Sequence, residues 1–124
     1  MMLVPIYVAP SSIHGVGVFA AEPIAKGTTV WIPLYDRKFT DAEVAEMPRL
    51  MREFIDVYGY KDDRYPGIVF CGVDNGRFMN HSDTPNTDQL EEGNVAVRAI
   101  AAGEELTCDY ALMGEEPPGP RPKS

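Results

Sequence analysis

For most of its length the chain alternates short apolar runs with turn residues, and only one stretch adopts helical spacing. Val4-Pro5-Ile6-Tyr7-Val8 reads as a short strand, with Pro5 at its start or on an exposed edge. After Gly15-Val16-Gly17, the run Val18-Phe19-Ala20 re-enters extended structure. Ile24-Ala25-Lys26-Gly27 makes a turn, and Thr28 to Leu34 is a β-branched strand. Residues 67–73 form a buried strand, Asn94 to Ala99 alternates as another, and Glu105 to Tyr110 is a last short strand ending in Asp-Tyr. The turn grammar Ile-Ala-x-Gly occurs twice, at 24–27 and 100–103, each time followed three residues after its glycine by Val30 or Leu106. Two copies so far apart do not make a solenoid; they predict two similar hairpins in one sheet-rich fold.

Helical spacing is confined to residues 40–59. Thr40-Asp41-Ala42-Glu43 is a capping box, and Val44, Met47, Met51, Phe54, Ile55 and Tyr58 recur with the helical period. Pro48 cannot donate its N–H and disfavours helix at Met47, which predicts a break there, a second helix from about Pro48, and a stop at Gly59. The stripe of methionines and aromatics is expected to pack into the core. Tyr58, Tyr60 and Tyr65 then cluster around the charged loop 61–64, where they are placed to line a pocket or to pack with satisfied hydroxyls.

Length and composition add limits. At 124 residues with 44% hydrophobic content, the chain has the size of one globular domain. Eleven basic against nineteen acidic residues give a net charge of −8, with no basic run. Nucleic-acid binding is therefore not expected, and a basic protein or peptide partner is favoured through its on-rate. Cys71 and Cys108 have neither disulfide-framework nor metal-ligand spacing and are expected as buried free thiols. No basic leader precedes an apolar stretch, and no apolar run approaches the roughly 20 residues of a membrane span, so a cytoplasmic protein is the expectation. The last residues, Gly114 to Ser124, hold four prolines and no large apolar group, which predicts a flexible tail after a domain at 1–113.

The segment Arg77-Phe78-Met79-Asn80-His81-Ser82-Asp83-Thr84-Pro85-Asn86 does not fit either a solvated loop or a core strand. Its polar groups, buried without partners, would cost about 1–3 kcal/mol each. The economical reading is a partly buried polar site, anchored by Phe78 and Met79 and closed by an Asx-Pro turn. The Gly15/Gly17 pair permits a left-handed conformation or close approach of another group to the backbone.

Taken in order, Gly15-Val16-Gly17 before Val-Phe-Ala, the Arg77–Asn86 stretch and Gly103-Glu-Glu-Leu-Thr-Cys-Asp-Tyr110 resemble the SET family of lysine methyltransferases over residues 4–111. The resemblance implies a mainly β fold of small curved sheets (a β-clip) with a small helical insertion and a threaded, knot-like C-terminal segment. It also implies S-adenosylmethionine on one face, and a substrate lysine reaching it through a narrow channel from the other. By that likeness Gly15, Val16 and Gly17 meet the cofactor through the backbone, while Asn80 and His81 hydrogen-bond it. Arg77 fixes the loop or meets the cofactor carboxylate, and Tyr110 is the active-site tyrosine. Tyr58, Tyr60 or Tyr65 is a second channel wall, with Tyr58 taken as the catalytic candidate. Asn86 and Asp109 are expected to hold loops. Many family members carry a cysteine where this chain has Asp83 and a cysteine-rich zinc segment after the tyrosine, so no zinc is expected here. Position 16 is a small Val, and no aromatic residue follows Tyr110. Closure of the channel is therefore left to the bound peptide or to a second protomer in a homodimer. The competing reading from another class is a non-catalytic module that uses this fold to bind a basic peptide.

Overall fold

Three small sheets, none wider than four strands, surround one core in the computed structural model, which describes residues 1–90 and 93–110. The expected tail from 114 and the domain limit at 113 lie outside these residues. The chain opens with β1 (Ile6–Pro10) and β2 (Val16–Ala20), an antiparallel hairpin in full register from Ile6↔Ala20 to Pro10↔Val16. The first strand thus starts after Pro5 rather than at Val4, because a proline cannot donate to the ladder and sits just outside it.

Next come β3 (Thr29–Trp31), β4 (Arg37–Thr40), helices α1 (Asp41–Ala45) and α2 (Arg49–Tyr58), then β5 (Gly59–Tyr60) and β6 (Ile68–Cys71). The strand anticipated over 28–34 is only three residues long: Pro33 interrupts it, and Tyr35 turns the chain through a left-handed conformation (φ 71°). In α1 the capping box is complete, with Glu43 N donating to Thr40 Oγ1 (3.1 Å) and Thr40 N to the Glu43 carboxylate (3.0 Å). Pro48 separates the helices and Gly59 ends the second, as the pattern predicts. The expectation that the helical stripe packs into the core is corrected. Neither helix has a buried residue, and Leu50, Met51 and Phe54 are exposed. The insertion touches the body mainly through its end, where the Tyr58 ring sits edge-on to Phe78 at 5.6 Å.

A 3-10 turn over Asn75–Phe78 leads into β7 (Asn80–His81), followed by β8 (Thr87–Leu90), β9 (Gly93–Ala96) and β10 (Glu105–Cys108). The sheets run β1-β2-β10-β7, β3-β9-β8 and β4-β6-β5. The two Ile-Ala-x-Gly turns meet: Ile24 and Ile100 exchange both backbone hydrogen bonds (2.8 and 2.9 Å). Gly27 and Gly103 take the same left-handed conformation at φ 87° and 83°. Val18, Val30, Ile100 and Leu106 are fully buried at this junction, and Met79 and Tyr110 belong to the same core. Cys71 and Cys108 are buried free thiols. Among the described residues no helix is long and apolar enough to cross a membrane, and no cluster of His, Cys, Asp and Glu is arranged to hold a metal.

Candidate active site

The site is assembled by β10. This strand pairs antiparallel with β2 (Leu106↔Val18) and parallel with β7 (Thr107↔Asn80, Cys108↔His81). The three separated motifs therefore lie on neighbouring strands. Asn86 fastens the strand from the side, donating to Glu105 O (2.7 Å) and accepting from Thr107 N (2.9 Å) while only 3% exposed. A buried amide satisfied on both its polar ends rigidifies what it joins.

The two glycines have different reasons. Gly15 sits at φ 51°, a left-handed turn. Gly17 makes room: a Cβ there would lie 2.3 Å from Glu105 Oε2 and 3.2 Å from Asn80 Nδ2. The Glu105 carboxylate accepts from Ser11 Oγ (2.7 and 2.9 Å) and from Asn80 Nδ2 (3.0 Å). The same Asn80 amide nitrogen also donates to His14 O and Val16 O, both at 3.0 Å. Within the described residues, then, the group that approaches Gly17 is the protein's own carboxylate, and the Asn80 N–H groups hold the glycine loop. Ser11 and Glu105 are participants the sequence reading missed; no spacing rule marks a glutamate in a strand as the partner of a distant glycine.

His81 stands between the loop and the last strand. Its Nδ1 accepts from Tyr110 N (3.1 Å), which assigns the proton of the neutral ring to Nε2, where Asp83 Oδ1 lies at 2.9 Å. Asp109 Oδ1 is 3.7 Å from Nδ1. The Tyr110 ring packs edge-on against the imidazole with centroids 5.5 Å apart, and its hydroxyl donates to Met79 O at 2.5 Å. Tyr110 is 9% exposed, so its phenol is held inside the molecule beside the Asn80–His81 strand.

That phenol lines a cavity of about 60 Å³ together with Trp31, Tyr58, Tyr60, Arg77 and Asn94. At roughly 10–15 Å³ per water, this admits the end of a side chain and no nucleoside. Arg77 lies against Phe78, its guanidinium 4.4 Å from the ring centre, and donates to Asp74 O (2.9 Å). Its Nε has no hydrogen-bond partner among the described residues. The Asn94 amide is oriented by Thr87: Thr87 Oγ1 donates to Thr107 O (2.7 Å) and so accepts from Asn94 Nδ2 (3.3 Å), leaving Asn94 Oδ1 buried and without a partner among the described residues. Of the three candidate tyrosines, Tyr58 and Tyr60 share this cavity with Tyr110, whereas Tyr65 is half-exposed and lines a different one.

The profile of the SET domain matches residues 15–111. The chain belongs to the SET-domain family. No curated protein sequence matches it. Solved structures similar to this SET domain include a humanized mutant of the Chaetomium thermophilum Polycomb Repressive Complex 2 bound to the inhibitor GSK126, at 21% identity and TM-score 0.67 over 89% of this chain. The same complex bound to GSK343 gives 21% and 0.69 over the same share. The chain spans 15% of the length of either matched chain. A Plasmodium falciparum protein provisionally designated a histone methyltransferase is 24% identical with TM-score 0.60, over 86% of this chain and 96% of its own. These likenesses establish the mainly β SET fold. Within it, the family's three motifs lie at β2, around β7 and at the end of β10, and Tyr110 lines the cavity together with Arg77, Met79 and Cys108 of the same motifs.

Proposed function

We propose that this SET domain transfers a methyl group from S-adenosylmethionine to the ε-amine of a lysine in a Lys/Arg-rich protein segment. The observation that carries the reading is the placement of Tyr110. Its phenol lines the narrow cavity, while its backbone N–H and ring contact His81 of β7. One residue thus touches both a side-chain-sized channel and the glycine loop–His81 edge.

The residues at that edge suit the cofactor. His14 Nε2, next to Gly15, is buried with no partner among the described residues, a polar atom awaiting a ligand. The cavity's volume suits the end of a lysine side chain better than a nucleoside, which supports a reading with the cofactor at the His14–Gly17 edge and the lysine in the cavity. When bound, S-adenosylmethionine supplies an electrophilic methyl on a sulfonium. The chain's own residues must deliver a neutral amine. A lysine of ordinary pKa, about 10.4, costs about 4.6 kcal/mol to deprotonate at pH 7. Burial among the rings of Trp31, Tyr58 and Tyr60 disfavours the ammonium, and the Arg77 guanidinium on the cavity wall repels it. Asn94 Oδ1 is an acceptor for a remaining N–H, and the rings restrict the approach of the nitrogen. The net charge of −8 favours encounter with basic segments.

The test is radiolabelled methyl transfer to a mixture of basic proteins and peptides. Transfer by the wild type that falls at least about a hundredfold in Tyr110→Phe supports the reading. Cofactor binding without transfer to any basic protein or peptide would sink it and favour the non-catalytic peptide-binding module.

A further inference from the structure

Beyond the Tyr110 cavity, and separated from it by the shared side chains of Trp31 and Tyr60, lies a second cavity of about 790 Å³. That volume is within the range of ligand pockets, roughly 300–1,000 Å³. Its walls carry the rings of Trp31, Tyr35, Tyr60, Tyr65 and Phe70, and among them stands Asp36. Asp36 is 8% exposed. One carboxylate oxygen accepts a short hydrogen bond from Tyr60 Oη; the other, Oδ1, is buried and has no hydrogen-bond partner among the described residues. Gln89 Oε1, on β8, is a second buried acceptor at the same cavity, without a partner among the described residues.

A buried carboxylate with an unpaired oxygen is expensive for a fold to keep, and the missing partner is a hydrogen-bond donor carrying positive charge. Aromatic faces attract the same class of ligand. Lys38 already places its ammonium 5.9 Å from the centre of the Phe70 ring. The cavity's own cations do not supply what Asp36 lacks. Arg64 is paired with Asp62 (2.6 Å), and Arg37 and Lys38 are exposed residues whose charges lie over the rings of Phe39 and Phe70. The Met1 ammonium acts on Asp36 through space but gives its hydrogen bond to Ile32 O.

We infer that this cavity receives a basic side chain of a partner protein, held by Asp36 and enclosed by the aromatic walls. Because it adjoins the Tyr110 cavity, the occupant is a second basic residue of the same segment that presents the target lysine; that last identification rests on the proposed function, while the cation site does not.

Trp31 is the chain's only tryptophan and lines the cavity, so its fluorescence reports occupancy. The full chain is titrated with Nα-acetyl-arginine methylamide and with the citrulline analogue, which has nearly the same shape and no charge. The arginine derivative is expected to saturate the Trp31 signal at least about tenfold more tightly than the citrulline one. Asp36→Asn is expected to abolish that preference and Gln89→Leu to weaken it several-fold, the latter serving as readout if the first variant does not fold. Tyr110→Phe, which alters only the smaller cavity, retains it. Equal titration by the two compounds, a preference that survives Asp36→Asn in folded protein, or one that is lost in Tyr110→Phe would overturn the inference. No methyl transfer enters the measurement, so its failure leaves the proposed activity standing, and failure of that activity leaves the cation site standing.

Discussion

Replacing Gly17 by alanine should damage this fold through one identifiable collision. Gly17 is not among the residues with positive φ, so alanine meets no backbone strain there. The added Cβ would instead lie 2.3 Å from Glu105 Oε2 and 2.8 Å from Glu105 Cδ. A free glutamate would swing away at little cost. This one is held by Ser11 Oγ at 2.7 Å and Asn80 Nδ2 at 3.0 Å, so moving it breaks both attachments. Hydrogen bonds to charged groups contribute about 1.5–3 kcal/mol each, and water recovers part of that for a carboxylate that is not fully buried. Alanine also restricts the unfolded chain, returning about 0.4–1 kcal/mol. The net expectation is a loss of about 2–4 kcal/mol, read as a lower urea midpoint at unchanged slope. The decisive control is Glu105→Ala, which removes the colliding group. In that background Gly17→Ala should cost less than about 0.5 kcal/mol, a coupling of about 1.5 kcal/mol or more. If Gly17→Ala is equally damaging with and without Glu105, the account of this glycine is wrong.

Other perturbations separate the remaining contributions. Gly15→Ala, at φ 51°, should cost about 1–2 kcal/mol from the left-handed backbone, and the same amount whether or not Glu105 is present, by the same urea assay. Asn86→Ala leaves Thr107 N and Glu105 O without their partners and should destabilise by about 2–5 kcal/mol, with loss of amide-exchange protection along β10. Burial holds the Asp36 carboxyl above its ordinary range, more than the Tyr60 hydrogen bond lowers it. The stability linked to this group is therefore fully present below the ordinary value of 3.8 and is lost as pH rises through the raised one. Asp36→Asn should accordingly melt higher than wild type at pH 7, with the difference closing toward pH 4 in thermal scans.

The parts of this molecule that were legible in the sequence are those set by local rules. The capping box at Thr40, the break at Pro48 and the stop at Gly59 depend on groups a few residues apart, and all three are present. The Ile-Ala-x-Gly repeat marked two equivalent turns, though nothing in the pattern said that Ile24 and Ile100 would pair with each other. The helical stripe misled because periodicity reports that a helix has an apolar face, not that the body reaches around to cover it: Leu50, Met51 and Phe54 face outward. In the site, the motif residues were visible by type and order. The groups that hold them were not. Ser11, Glu105 and Asp36 act across separations of tens of residues, through contacts that exist only once the sheets have formed: Ser11 meets Glu105 when β10 pairs with β2, and Asp36 meets Tyr60 of the β4-β6-β5 sheet.

Asp36 shows why the two cavities belong in one argument. A domain of this size has a net stability of about 5–15 kcal/mol, so a buried, half-satisfied carboxylate consumes a noticeable fraction of it. Tyr60 accepts a share of that burden: its hydroxyl is committed to Asp36, and both burial and that bond push its ionisation far upward, so the ring stays neutral. The same ring lines both cavities, with Trp31 as its neighbour at 6.0 Å. On the proposed reading, a cation that satisfies Asp36 would fix the Tyr60 and Trp31 walls from one side while the target lysine would enter from the other. Peptides with a second basic residue should gain more in kcat/KM than their added charge predicts, and Asp36→Asn should remove that excess, bringing doubly basic peptides to the ratio over singly basic ones that charge alone gives.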